Sequence, residues 1–142
     1  MTGKKKIIME KVIVDIYYTG NNFCAHAPIL PGCVSTAATL ADMKKNINDA
    51  IEFHIETSME NSDPIPDVFK GEYELEFIIS TEALLNAYSD IFTKAALSRI
   101  TGINERQLWH YASGMRKPRP AQRKRIEDGL HRLGNELLSI GI

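Results

Sequence analysis

The side chains with the most interpretable chemistry lie within residues 94–132, where ten residues are basic and three are acidic. Lysine and arginine neutralise phosphates, and an arginine guanidinium can also hydrogen-bond both O6 and N7 of guanine. A glutamine amide can bind adenine in the same bidentate manner. Residue types of this kind at this density indicate binding to double-stranded DNA, because a basic module attracts phosphate.

Two short helices joined by a tight turn must position these side chains. Thr93 and Asn104 suit the N-caps of the two helices, and Gly102 suits the left-handed residue that ends the first one. Gln107 stands where a capping box places its reciprocal side chain. The spacing predicts a buried set at Ala96, Leu97, Ile100, Ile103, Leu108 and Tyr111. The exposed face of the second helix is then free to enter the major groove.

Residues 92–133 resemble the lambda-repressor/Cro type of helix-turn-helix. The resemblance implies that Lys94, at the start of the first motif helix, contacts a phosphate. It implies base-edge contacts from the second helix, the recognition helix, at Glu105, Arg106, Gln107 and His110. It implies backbone contacts just past that helix, at Arg116, Lys117 and Arg119. Symmetric pairs of subunits normally read such operators, so a homodimer or higher homo-oligomer is expected.

Two alternatives stay open for this segment. Asn104 is expected to use its side chain for capping, whereas Trp109 could pack on its own domain, on a second subunit or on a sugar. The whole segment could also be a basic helical bundle that binds a protein. The turn glycine, the caps, the core spacing and the flanking charge together favour DNA binding.

The preceding part of the chain has the opposite charge, with four basic and fourteen acidic residues within residues 7–93. Alternating polar and apolar residues predict strands at 11–18 and 73–80, with a turn at 19–22 and a return strand at 23–27. A third short strand is expected at 33–35. Apolar residues at spacings of three and four predict a long helix over 39–58. This order predicts an α+β layer, with a domain boundary near Ser80 and further helices after it.

The segment Pro31-Gly32-Cys33-Val34-Ser35 before a helix start at Thr39-Leu40 resembles the HicB antitoxin family over residues 12–69. The family has Gly-Asp-Thr before the helix, where this chain has Ala37-Ala38-Thr39. The resemblance implies a reduced RNase H-like domain in residues 1–80, with a small antiparallel-rich sheet and one long helix. An all-α helix-turn-helix domain is expected in residues 81–142.

The resemblance also implies a function in two parts. The N-terminal domain would bind and neutralise a HicA-type mRNA-cleaving toxin, and the C-terminal domain would repress the operon by binding its operator DNA. The acidic surplus suits a surface that competes with RNA for a basic toxin. The alternative is a stand-alone transcriptional repressor whose N-terminal domain senses a ligand or oligomerises.

Catalysis is not expected. Asp15 is the only acid on the first strand, whereas a metal-dependent nuclease needs several converging carboxylates. The spacing of Cys24, His26, Cys33 and His54 matches no usual zinc-ligand pair, and no glycine-rich phosphate loop is present. We therefore expect no enzyme activity, no metal and no cofactor.

Location is predicted from the same composition. The two cysteines do not form a disulfide framework, and no apolar run approaches the length of a membrane span. The lysine-rich start lacks the apolar region of a secretory signal. A cytoplasmic protein without a membrane partner is expected.

Overall fold

The computed structural model describes residues 9–142. The lysine-rich start, which underlies the expectation about a secretory signal, lies outside the described residues. The chain divides into two compact units: the first ends at Ile79 and the second is Ser80–Ile142. Strands and one long helix form the first unit and helices form the second, so the predicted α+β class is confirmed.

The first unit holds a four-stranded sheet with the strand order β3-β2-β1-β4. Its elements are β1 (Glu10–Tyr18), β2 (Phe23–His26), β3 (Val34–Ala37), helix α1 (Leu40–Glu60), a short 3-10 helix (Asp67–Lys70) and β4 (Tyr73–Ile79). The pairs β1–β2 and β2–β3 are antiparallel, whereas β4 pairs parallel to β1. A long connection is needed before a parallel strand can pair, and α1 lies within it.

Helix α1 packs on one face of the sheet, against β2 and β3. Thr39 caps it, because its side-chain oxygen accepts a hydrogen bond from the Asp42 backbone N–H at 3.1 Å. The helical spacing places one apolar stripe on the sheet, and its members are buried: Met43, Ile47, Ile51 and Ile55. The alternate residues of β1 that face the same way are also buried: Val12, Val14 and Ile16. The apolar stripe of the helix and the apolar face of the strand are thus buried in a single core.

The opposite side of the sheet, which we call the open sheet face, exposes large apolar side chains: Ile13, Tyr17, Val34 and Ile78. The β1–β4 register pairs Ile13 with Glu76 and Asp15 with Ile78. Apolar and acidic side chains therefore alternate across these two strands. The open sheet face combines apolar area with negative charge.

The second unit contains helices α2 (Thr81–Ala87), α3 (Lys94–Thr101), α4 (Glu105–Ala112) and α5 (Pro120–Leu138). Its buried core comprises Leu85, Leu97, Ile103, Leu108, Tyr111 and Ile126. Four of the six residues predicted to be buried are members of this core, whereas Ala96 and Ile100 are half-buried. The predicted cap of α3 is confirmed, since the Thr93 hydroxyl accepts a hydrogen bond from the Ala96 backbone N–H, and Ser80 caps α2 in the same way.

Helix α5 is joined to the end of α3 by two arginines. Gly102, with φ of 72°, ends α3 in the left-handed conformation, and its carbonyl accepts a hydrogen bond from Arg125 Nη2 at 2.9 Å. The Ile100 carbonyl accepts one from Arg132 Nη2 at 2.9 Å. Cations at the C-terminus of a helix also oppose its negative dipole end. We call these two contacts, together with the close approach of Gly129 to Ile100, the α3–α5 clamp.

The apolar stripe of α5 leaves the core before the helix ends. Ile126 is buried and Leu130 and Leu133 are half-buried, but Leu137 is 57% and Leu138 is 86% exposed. The C-terminal end of α5 therefore has an apolar surface that its own unit does not cover. No helix within residues 9–142 has the length and apolar character needed to cross a lipid bilayer.

Candidate nucleic-acid interface

Helix α4 is held at both ends by side-chain hydrogen bonds. At its start, the Asn104 Oδ1 atom accepts from the Gln107 backbone N–H at 2.8 Å, so Asn104 is the N-cap that the sequence predicts. At its end, the Asn86 amide on α2 donates to the Ala112 carbonyl at 2.8 Å. The buried side chains of Leu108 and Tyr111 fix the rotation of the helix about its axis. The outward face of α4 is thus defined by the fold.

The outward face of α4 is exposed and consists of Glu105, Arg106, Trp109 and Ser113, the last being the C-cap residue. Spacings of three and four residues place these side chains on one side of the helix. Two of them, Glu105 and Arg106, are predicted base readers. The sequence leaves three packing sites open for Trp109. Its spacing of three from Arg106 places it on the same face as the predicted base readers.

A basic segment lies a few residues after the end of α4. Gly114, with φ of 77°, ends the turn after the helix, and the Arg116 backbone N–H donates to the His110 carbonyl at 3.3 Å. Arg116, Lys117 and Arg119 are all exposed. The structure therefore presents these three cations to solvent beside the exposed end of α4.

Gln107 is placed differently from the expected base reader. Its side chain is half-buried, and its Nε2 atom donates to the Tyr111 hydroxyl at 2.8 Å. This bond joins residues one helical turn apart and occupies the amide inside the unit. The reciprocal capping-box contact is absent among the described hydrogen bonds of Gln107, because its side chain is directed to Tyr111 instead.

Lys94 is also placed differently from its expected phosphate contact. The residue is buried, with 8% of its surface exposed, and its Nζ atom lies 4.6 Å from the centre of the Trp109 ring. A cation over an indole face is stabilised by the ring quadrupole. The ammonium is therefore engaged with Trp109 within the unit, and the expected phosphate contact stays a prediction.

His110 occupies an intermediate position. It is half-buried, and its Nδ1 atom is buried without a hydrogen-bond partner in the described structure. It lies four residues after Arg106, at the edge of the exposed face. Its accessible part is consistent with the expected base contact, while its Nδ1 atom points away from solvent.

The first unit has polar groups but no assembled metal site among residues 9–142. On the open sheet face, the His26 Nε2 atom lies 3.7 Å from the Asp15 Oδ2 atom, and both side chains are about 40% exposed. Cys33 is buried, and desolvation raises the pKa of its thiol, which stays neutral and unreactive at ordinary pH.

A known protein family matches the first part of the chain. The family model described as the HicB-like antitoxin of bacterial toxin–antitoxin systems matches residues 12–83, about half of the chain. The matched residues include all of the sheet from Val12 onward and the long helix α1. No curated protein and no solved structure matches the chain.

Proposed function

Because the chain belongs to the HicB-like antitoxin family of bacterial toxin–antitoxin systems, we propose that it neutralises a HicA-type mRNA-cleaving toxin and represses its own operon. The observation that carries the proposal is the family match to the sheet-containing unit, combined with a second, helical unit in which the exposed face of α4 is followed by a basic segment. The first unit is assigned the toxin and the second the operator. The chain acts as a binding protein and not as an enzyme.

We place the toxin on the open sheet face. Large apolar side chains exposed on one face of a small unit favour a protein-binding surface, and Ile13, Val34 and Ile78 contribute them here. Glu76 and Asp15 are interleaved with this area, so the surface is complementary to a partner that is basic because it binds RNA. A toxin held there would have its RNA-binding surface covered.

We place operator DNA on the outward face of α4 and on the basic segment after it. Arg106 is exposed and can read a guanine, whereas Arg116, Lys117 and Arg119 supply sequence-independent phosphate contacts. The side chains of Leu108 and Tyr111 anchor α4, so the reading face is rigid before DNA arrives. This is the division of roles that a helix-turn-helix requires.

We assign self-association to the end of α5. Leu137 and Leu138 are exposed there, followed by Ile140 at 61% exposure. A symmetric operator needs a symmetric pair of subunits, and this exposed apolar helix end is suited to pack against the same helix end of a second copy. The proposed occupant is therefore the same helix of another chain.

The test of toxin binding co-expresses the full chain with any small basic protein that an adjacent reading frame encodes. Co-purification and rescue of growth are expected for the native chain. Glu76→Lys on the open sheet face is expected to weaken the complex at least tenfold, because it places a cation against a basic partner.

Glu52→Lys is the matched control for Glu76→Lys. Glu52 is exposed on α1, and the substitution makes the same change in net charge on the opposite side of the sheet. Neutralisation by this variant is expected to stay close to native. Equal losses in both variants would mean that only overall charge matters and would refute the proposed toxin surface.

A further inference from the structure

The chain's single tryptophan, Trp109, lies exposed in the middle of the recognition helix. Its exposed fraction is 60%, although tryptophan is a large apolar residue that is highly buried on average. It follows Arg106 by three residues and Glu105 by four, so the three side chains share one face. Any duplex that Arg106 reads would therefore meet the indole as well.

Lys94 fixes the orientation of this indole. Its ammonium lies 4.6 Å from the ring centre and covers one face of the ring. Lys94 itself is anchored as the first residue of α3, directly after the N-cap Thr93, whose hydroxyl accepts from the Ala96 backbone N–H at 3.0 Å. The indole is thus held in place before binding, which lowers the entropy lost when it meets a ligand.

We propose that Trp109 contacts the 5-methyl group of a thymine in the major groove, with Lys94 as the residue that positions the indole. The inference rests on the operator binding proposed above. Thymine is the only base whose major-groove edge carries an apolar group, and apolar side chains recognise it there. An exposed indole edge beside an arginine reader supplies such an apolar surface.

Sugar packing and base contact differ in their measurable consequences. Stacking of the indole on a deoxyribose would strengthen binding to every sequence equally. A contact to a thymine methyl strengthens binding only where thymine occupies one position in each half-site. The role of Lys94 differs in the same way, since a phosphate ligand contributes to salt dependence and a buried positioning residue does not.

The first experiment uses the native full chain and a duplex selected from a random-sequence pool. Each thymine within the selected half-site is replaced in turn by uracil, which removes only the methyl group. The affinity for the duplex is expected to fall about fourfold when uracil replaces thymine at one position, because the loss of one buried methyl group has about that effect. The fluorescence of Trp109 reports the same contact, and its quenching by acrylamide is expected to fall when the duplex is added.

Variants then assign the methyl preference to residues. Trp109→Ala is expected to bind the thymine and uracil duplexes equally, whereas Trp109→Phe keeps part of the preference. Lys94→Met keeps the length of the side chain without the charge. It is expected to reduce the thymine preference and to increase acrylamide quenching of the free chain, with the salt dependence unchanged. Circular dichroism confirms that each variant is folded.

The outcomes separate this inference from the proposal on which it depends. A native chain that selects no sequence refutes operator binding and the thymine contact together. A native chain that selects a sequence, with equal affinity for the thymine and uracil duplexes, refutes the thymine contact alone. A uniform loss of affinity in Trp109→Ala across all sequences assigns the indole to sugar packing. A fall in salt dependence in Lys94→Met assigns Lys94 to phosphate.

Discussion

At the scale of single residues, α4, the proposed recognition helix, has some side chains that face outward and others that pack inside the unit. Glu105 and Arg106 are exposed, whereas Gln107, immediately after them, is bound to Tyr111 inside the unit. Each residue of an α-helix is rotated by about 100° from the one before it, so Gln107 turns toward the core although Glu105 and Arg106 face outward. Specificity is therefore expected to depend on few positions.

Arg106→Ala is expected to relax the preference for guanine at one position of each half-site. Loss of the bidentate contact should weaken binding to the duplex that carries the preferred guanine by about 1–3 kcal/mol. Binding to duplexes with another base at that position should change little. Binding to a panel of duplexes with single base changes measures this. An unchanged preference at every position would show that α4 does not read bases through Arg106.

Lys117→Ala is expected to weaken binding to all duplexes by a similar factor. Lys117 is exposed in the segment after α4, and a phosphate contact carries no sequence information. The slope of log affinity against log salt concentration should fall by about 0.9, the contribution of one phosphate contact. The two substitutions control each other, because both remove one positive charge but only Arg106→Ala should alter the base preference.

Local residue chemistry could be predicted from the sequence, whereas partners brought together by packing could not. Asn104 is a cap because its bond spans three residues, which a sequence pattern reveals. The contact between Lys94 and Trp109 could not be predicted, because it spans fifteen positions and depends on how α3 and α4 cross. The phosphate contact that the resemblance implies for Lys94 stays a prediction. The Gln107–Tyr111 pair has ordinary helical spacing, so that contact could have been anticipated.

At the scale of elements, the strands and helices follow the sequence periodicity closely. The predicted helix over 39–58 is α1, which extends two residues further to Glu60. The 3-10 helix Asp67–Lys70 was not predicted, since four residues are too few to establish a period. The α3–α5 clamp was also not predicted, because Arg125 and Arg132 were counted with the basic surface and their carbonyl partners lie on another helix.

Gly129→Ala tests the packing of α5 on α3. A Cβ atom at Gly129 would lie 2.8 Å from the Ile100 carbonyl oxygen, which belongs to the backbone and has little room to move. Overpacking of this kind is expected to lower the free energy of unfolding by about 1–3 kcal/mol, outweighing the better helix propensity of alanine. Thermal and urea denaturation of the full chain measure the change.

Gly134→Ala is the matched control on the same helix. A Cβ atom there would meet no atom within 4 Å among the described residues, so only helix propensity changes. Stabilisation by about 0.5–1 kcal/mol is expected. Destabilisation of both variants would mean that α5 is intolerant of alanine for a reason other than contact with Ile100.

At the scale of the whole molecule, the two units have opposite charge and separate proposed partners. Residues 1–79 contain twelve acidic and seven basic residues, and residues 80–142 contain ten basic and six acidic residues. The formal net charge of −1 hides this division completely. Each unit is expected to attract the partner that the other repels.

The double substitution Leu137→Glu with Leu138→Glu tests assembly. Both side chains are exposed, so the fold of a single chain should tolerate the change. Carboxylates brought together across a symmetric contact would repel each other, and dimers are expected to dissociate at concentrations where the native chain remains paired. Sedimentation measures the mass. Toxin neutralisation should persist, and an unchanged dimer would exclude the end of α5 as the interface.

The α3–α5 clamp has a consequence for how an operator must be laid out. It fixes the angle between the outward face of α4 and α5, the helix proposed to join two subunits. The two DNA-reading faces of a dimer would therefore lie at a fixed distance from each other. Half-sites on one side of the duplex recur about every 10–10.5 base pairs. Inserting roughly five base pairs between them turns the second half-site to the far side of the duplex. A rigid dimer could then not contact both half-sites at once.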